Sequence, residues 1–444
     1  MADHSKQRRM CVVGLDGVPI GLLEHLAQGS VMPRAARVLQ SGELKRLRVP
    51  LPPVSSVSWS SFMTGANPGE HGIFGFTDVA QDSYRLRFPG FRDLAVPTFW
   101  DRLGEAGLRC VVLNQPATYP ARAHPGVLLS GFVAPDLARS VWPLEHLATL
   151  EGMGYRTDID AERARRNPEH LLDDLEATLA VHRRAALHFW EREEWNCFEF
   201  VVTGTDRLHH FLWHSVTEQD NPWHDRAMHY YQMVDELIGE LWDRFHQGRS
   251  GDREGEGFLL LSDHGFTGVR WEVRVNAWLR EHGYLDYRTE SPQSVADIAP
   301  ATRAFALDPG RIYLNLKGRF ASGCVDSGEA DPLQAEIADG LRGLTHEGEP
   351  AIAQVFTRAE AYRGPRSRLG PDLVAVGRDG FDLKGTTKQQ EVFAGTHFQG
   401  MHTLENAFVW SLLPLPGEPE MADLAGAVVV WLTRHRRAAA ERKG

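Results

Sequence analysis

The chain has 444 residues, enough for one large α/β domain with an elaborated cap or for two domains. Its 42% hydrophobic and 24% charged residues are those of an ordinary globular protein, and no apolar run approaches the ~18 residues of a membrane span. A formal net charge of −11 argues against bulk nucleic acid, which is bound through excess Lys and Arg, but leaves open a small phosphorylated substrate held through a metal.

The N-terminus, MADHSKQRRM, is basic but runs straight into CVVGLDG, too short an apolar run for a signal-peptide core. A cytoplasmic protein is therefore expected. Short, continuous apolar runs then alternate with helical patterns. Those at 10–17, 108–115, 197–206, 257–265, 311–318, 371–377 and 406–413 read as strands covered on both faces. Helices are predicted from Pro168 to Glu194 and from His224 to Phe245, the second with Met228, Tyr231, Val234, Leu237 and Leu241 on one face. The alternation predicts a doubly wound α/β fold. Residues 247–256 read as a polar loop, and 285–350 break the alternation as an inserted subdomain would. The cysteines, Cys11, Cys110, Cys197 and Cys324, are far apart and read as free, mostly buried thiols.

In open parallel sheets, ligands bind at the carboxyl ends of strands. Asp16 ends the first run. Asp206 ends the third and is followed by His209 and His210. Asp263 and His264 end the fourth. Each alone is weak, because an Asp after a strand is commonly an N-cap. Together they bring three acids to one edge of the sheet, where like charges repel unless cations are present. Mixed Asp/His sets suit zinc, with manganese second. Asp206 and His210, four apart, share a face if the segment is helical. His209 reads as a packing neighbour of that set.

The stretch from Pro52 to Ile73, PPVSSVSWSSFMTGANPGEHGI, concentrates five serines and a threonine beside Trp59, Phe62 and Met63. A serine hydroxyl is a poor nucleophile without activation, and neither a Ser-His-Asp order nor a G-x-S-x-G elbow supplies a base. A metal would activate it instead. A helix is predicted over roughly Ser58 to Thr64, with its N-terminal amides available to an anion.

These motifs carry a resemblance. GLDG (14–17), TGANPGEHGI (64–73), TDRLHHFLWH (205–214), SDHGF (262–266), PGRIYLNLKGR (309–319), PDLVAVGRDGFDLKG (371–385) and GMHTLENAFV (400–409) resemble the alkaline phosphatase superfamily. The closer likeness is to its type I phosphodiesterase/nucleotide pyrophosphatase branch. The resemblance implies an α/β/α sandwich with a largely parallel central sheet. It implies one catalytic domain over 1–444, with a small inserted subdomain around 285–350. It implies two divalent metals, one held by Asp16, Asp263, His264 and the nucleophile oxygen, the other by Asp206, His210 and a late histidine. His402, just before the last apolar strand, is favoured over His397. Counting nine residues back from Thr64 places the nucleophile at Ser55. Ser58 falls where relatives hold a phosphoryl oxygen with Asn. Ser56, Ser60, Ser61 and His71 read as structural. Lys384, Arg311 and Lys317 are candidates to contact a substrate anion, against the plainer reading of solvated charges. The implied activity is hydrolysis of phosphate diesters or nucleotide pyrophosphates through a covalent Ser55 intermediate, with a nucleotide as default substrate. The alternatives are a phosphomonoesterase, a phosphomutase, a phosphonoacetate hydrolase-like enzyme and an inactive metal-binding relic. The absence of a C-x-P-x-R motif excludes a formylglycine sulfatase type.

Overall fold

The computed structural model describes residues 8–160, 163, 167–247, 256–388 and 390–441. All but the ends of the predicted 247–256 loop lies outside them. Eight strands form the main sheet, in the order Glu43–Arg46, Phe408–Ser411, Glu256–Leu261, Arg9–Leu15, Cys197–Val202, Cys110–Gln115, Gly126–Ser130 and Val141–Trp142. The five strands from Glu256–Leu261 through Gly126–Ser130 run parallel, and antiparallel pairs close both sides.

The apolar runs are continuous because both faces are covered. Cys11, Val13 and Leu15 enter a core shared with the helices Pro168–Arg192 and His224–His246. Met10 and Val12, on the opposite face, enter another core with the helices Ser55–Thr64, Phe99–Glu105 and Met421–Glu441. The helix predicted from Ser58 thus begins at Ser55 itself. Cys11, Cys110 and Cys197 are buried free thiols and Cys324 is half-buried.

A second layer follows the main sheet's Glu256–Leu261 strand. The long strand Gly265–Arg274 pairs with Gly380–Lys384, Phe393–Ala394 and Gly400–Thr403. A separate antiparallel sheet orders Ala304–Leu307, Arg311–Leu314, Leu373–Gly377 and Ile352–Thr357, over the helix Ala330–Arg342 and with its own core. The runs predicted at 311–318 and 371–377 therefore form strands here and not in the doubly wound sheet. A continuous apolar run reports burial on both faces and is silent about which sheet provides it. The 285–350 segment supplies two strands and the helix of this layer, which extends well past residue 350.

One buried acid gives a stability test. Glu199, in the central Cys197–Val202 strand, is fully buried and accepts a 2.9 Å hydrogen bond from Trp100 Nε1. Burial pushes its carboxyl up to about 8, against that hydrogen bond. The folded chain then keeps a proton that the unfolded chain loses near its ordinary value of 4.5. The stability this supplies is full below that value and is lost as pH rises through about 8. Glu199→Gln is expected to flatten the pH dependence and to gain a few kcal/mol at the alkaline end, read from thermal melts at about pH 5 and about pH 8.

Candidate active site

Parallel register sets the site. Leu15 pairs with Val202 and Gly14 with Leu261, so Asp16, Thr203 and Ser262 leave the sheet at one level. The Asp206 segment then turns into the helix Gly204–Thr217, which places His210 one turn beyond Asp206. On the other side, Phe266 lies opposite His402 across the Gly265–Arg274 and Gly400–Thr403 strands. This register lays the His402 ring on that of His264, with centroids 3.7 Å apart. His397 is exposed and belongs to neither candidate metal set.

The donor atoms converge in two sets, Asp16/Asp263/His264 and Asp206/His264/His402, each with its atoms within 4.8 Å of one another. His264 stands between them. Its Nε2 is 3.3 Å from Asp263 Oδ2, 3.5 Å from Asp16 Oδ1 and 4.0 Å from Asp206 Oδ1. His210 joins the second set, with Nε2 3.3 Å from Asp206 Oδ1 and 2.9 Å from His402 Nε2. Ser55 Oγ donates to Asp16 Oδ1 at 3.3 Å and lies 3.1 Å from His264 Nε2. Asp16, Asp206, Asp263, His264 and Ser55 are all at most 2% exposed.

The three imidazoles are held in one tautomer. His210 Nδ1 is 3.1 Å from the Gly400 carbonyl, His264 Nδ1 is 3.0 Å from that of Gly265, and His402 Nδ1 is 3.2 Å from that of Pro53. A carbonyl only accepts, so each Nδ1 carries a proton and each Nε2 turns inward. The His210 and His402 Nε2 atoms then face each other across 2.9 Å. Outer hydrogen bonds of this kind orient metal-ligating histidines. Burial and the neighbouring acids Asp263 and Asp206 hold the Asp16 carboxyl well above its usual range. Asp263 is pushed up to about 7, mainly by burial, and its Oδ2 has no hydrogen-bond partner among the described residues. Facing imidazole nitrogens, an unpartnered buried carboxylate oxygen and three crowded acids are relieved together by cations. The residues present fit a pair of divalent metals.

Sequence reasoning passed over the residues that support these donors. Trp59 Nε1 donates to Asp16 Oδ2 at 3.1 Å. Thr205 Oγ1 donates to the Asp16 carbonyl at 2.6 Å, and the Gly17 amide donates to Asp263 Oδ1 at 3.0 Å. His209, read as a neighbour, bridges the Gly17 carbonyl and the Tyr231 hydroxyl. Gly14 leaves room for Trp59, since a Cβ there would sit 2.5 Å from the indole. Trp59→Phe deletes the hydrogen bond that orients Asp16 and, because phenyl is smaller than indole, leaves a void against Gly14. It is expected to lower metal affinity and kcat/KM about 10-fold or more, beyond a modest fall in melting temperature, measured by chelator competition and kinetics.

The other sequence candidates separate clearly. Ser58 is buried and its Oγ finds no partner among the described residues. His71 pairs with Ser61 Oγ at 3.0 Å inside the fold, as the structural reading expects. Lys317 is a surface partner of Asp326. Arg311 is no solvated charge: it is fully buried, and its guanidinium donates to the Asp308 and Thr77 carbonyls. Lys384 pairs with Asp382 at 2.5 Å and lies 5.8 Å from the centre of the Phe398 ring, which itself stands 5.2 Å from that of His210.

The sequence profile of type I phosphodiesterase/nucleotide pyrophosphatase matches residues 10–404. The chain belongs to that family. It is thereby a phosphoric ester hydrolase. No curated protein sequence matches it. The solved structures that share its fold over 96% of its length include the following three. One is phosphonoacetate hydrolase from Sinorhizobium meliloti 1021 in complex with phosphonoacetate, at 16% identity, TM-score 0.65 and 96% of that chain. Another is an inactive variant of murine ectonucleotide pyrophosphatase/phosphodiesterase 5 in complex with AMP, at 13% identity, TM-score 0.55 and 95% of that chain. The third is wild-type alkaline phosphatase PafA, at 13% identity, TM-score 0.59 and 96% of that chain. Among the described residues no helix is long and apolar enough to cross a membrane.

Proposed function

We propose that this family member hydrolyses phosphate diesters or nucleotide pyrophosphates through a covalent intermediate on Ser55. The observation that carries the reading is the position of Ser55 Oγ, buried beside Asp16 and His264 at the start of a helix. Asp16, Asp263, His264 and Ser55 would hold one cation, and Asp206, His210 and His402 the other, with zinc preferred and manganese second. When bound, such cations lower the pKa of a serine hydroxyl and neutralise charge on the phosphoryl oxygens. Ser55 Oγ attacks phosphorus in line, its proton is lost, and the leaving alkoxide departs and takes up a proton. Water then cleaves the serine–phosphorus ester, releasing a phosphomonoester and restoring the hydroxyl. The Ser55 and Ser56 amides, at the open end of the helix, suit a phosphoryl oxygen. Ser58 and Lys384 would be supporting substrate contacts, Lys384 as a hydrogen-bond donor that stays paired with Asp382.

A diester is favoured over a monoester by the cations that flank the centre. Arg207 is held by both oxygens of Asp158 and lies 3.7 Å from Asp206. Lys384 is held by Asp382. Neither is left with a free charge for the second negative charge of a monoester. Phe398 offers an apolar surface between His210 and Lys384 for an ester group. The test is hydrolysis of bis-p-nitrophenyl phosphate against p-nitrophenyl phosphate by protein loaded with zinc or manganese. Faster diester cleavage is expected. A monoester preference would move the reading to a phosphatase or mutase.

A further inference from the structure

We propose that Gln399 is a positioning residue that sets His210 for the second metal, an inference that rests on the two-metal reading above. The helix Gly204–Thr217 is broken at Leu212, whose backbone leaves the helical region (φ −136, ψ 38). The break falls two residues after His210. In an unbroken helix the His214 amide would donate to the His210 carbonyl. Here both groups are taken by one residue. The His214 amide donates to Gln399 Oε1 at 3.1 Å, and the Gln399 amide donates to the His210 carbonyl at 2.7 Å. Gln399 is thus inserted into the helical ladder, a recognised cause of sharp kinks.

The insertion has a direct consequence for the imidazole. Gly400, the next residue, supplies the carbonyl that accepts from His210 Nδ1 at 3.1 Å. Gly400 also has no space for a side chain, since a Cβ would lie 2.7 Å from the His209 carbonyl oxygen. The Gln399 carbonyl accepts from the Val269 amide at 3.0 Å, which ties the insertion to the strand carrying Phe266. One residue therefore fixes the backbone at His210, the tautomer partner of its ring and the strand that carries His402. The first metal set, Asp16, Asp263 and His264, makes no such contact with Gln399. The expected effect is asymmetric between the two metals.

The experiment titrates metal-free protein with zinc against a chromophoric chelator and compares wild type, Gln399→Met and Gln399→Glu. Methionine keeps the length and loses the acceptor, whereas glutamate keeps an oxygen for the His214 amide. In the methionine variant one zinc is expected to bind as in wild type and the other about 10-fold or more weakly. The glutamate variant should restore the second step. Amide exchange at His214 in the metal-free protein should quicken in the methionine variant alone. Two unchanged binding steps in the methionine variant would overturn the assignment. So would equal weakening of both steps with a lower melting temperature, which marks a merely structural residue, and so would a glutamate variant as weak as methionine. If wild type itself binds no zinc, the metal reading fails, and the inference with it.

Discussion

Ser55→Ala is expected to abolish diester hydrolysis while leaving the metal centre in place. Loss of a covalent nucleophile that acts as a unit with its activating groups typically costs about 10³-fold or more in rate. The substitution removes one oxygen from a helix start that stays buried against Asp16 and His264. On the proposed assignment Asp16, Asp263 and His264 would still hold one cation and Asp206, His210 and His402 the other, so zinc content should stay near that of wild type. Retained metal with lost activity would show that the Ser55 oxygen, one of four proposed donors to that cation, matters more for the chemistry than for holding the metal. Quenching wild type during turnover should trap a serine-bound phosphoryl adduct on the peptide carrying Ser55, and the alanine variant should show none. Activity that survives the substitution would sink the covalent route and leave a directly attacking water.

Four of the candidate donors were legible because each follows a strand. Asp16, Asp206, Asp263 and His264 could be read from the sequence as one edge of a sheet, since parallel strands deliver their carboxyl ends to one side. The resemblance, with its place just before the last strand, favoured His402 over His397, and the pairing of His402 with Phe266 brings it beside His264. Trp59 was not legible as a support for Asp16. An indole in an apolar helix reads as core, and only the long-range packing of the helix on the sheet aims its Nε1 at a carboxylate. Gln399 was invisible for the same reason: a polar residue in a loop carries no period that reports a break in a distant helix. The runs at 311–318 and 371–377 were correctly strands, but their partners lie in another sheet, and partner choice is a non-local property.

Asp263→Asn should reverse the order of stability according to whether metal is present. In chelator, wild type buries Asp16, Asp206 and Asp263 together, each at most 2% exposed, with no hydrogen-bond partner for Asp263 Oδ2 among the described residues. Asparagine keeps the Oδ1 that accepts from the Gly17 amide at 3.0 Å and removes one of the crowded charges. The metal-free variant is therefore expected to gain on the order of 1–3 kcal/mol, the scale of relieving an unsatisfied buried polar group. Zinc inverts this. A ligand present at about 1,000 times its dissociation constant stabilises the folded state by about 4 kcal/mol, and the variant, short of one carboxylate ligand, collects little of it. Thermal melts of both proteins with chelator and with zinc give four midpoints. The variant should melt higher in chelator and wild type higher in zinc, with hydrolysis lost in the variant under both conditions. A substitution that only damaged the fold would lower both midpoints. If wild type melts higher in chelator as well, the three carboxylates do not oppose one another, and the argument that they await cations fails at its electrostatic step.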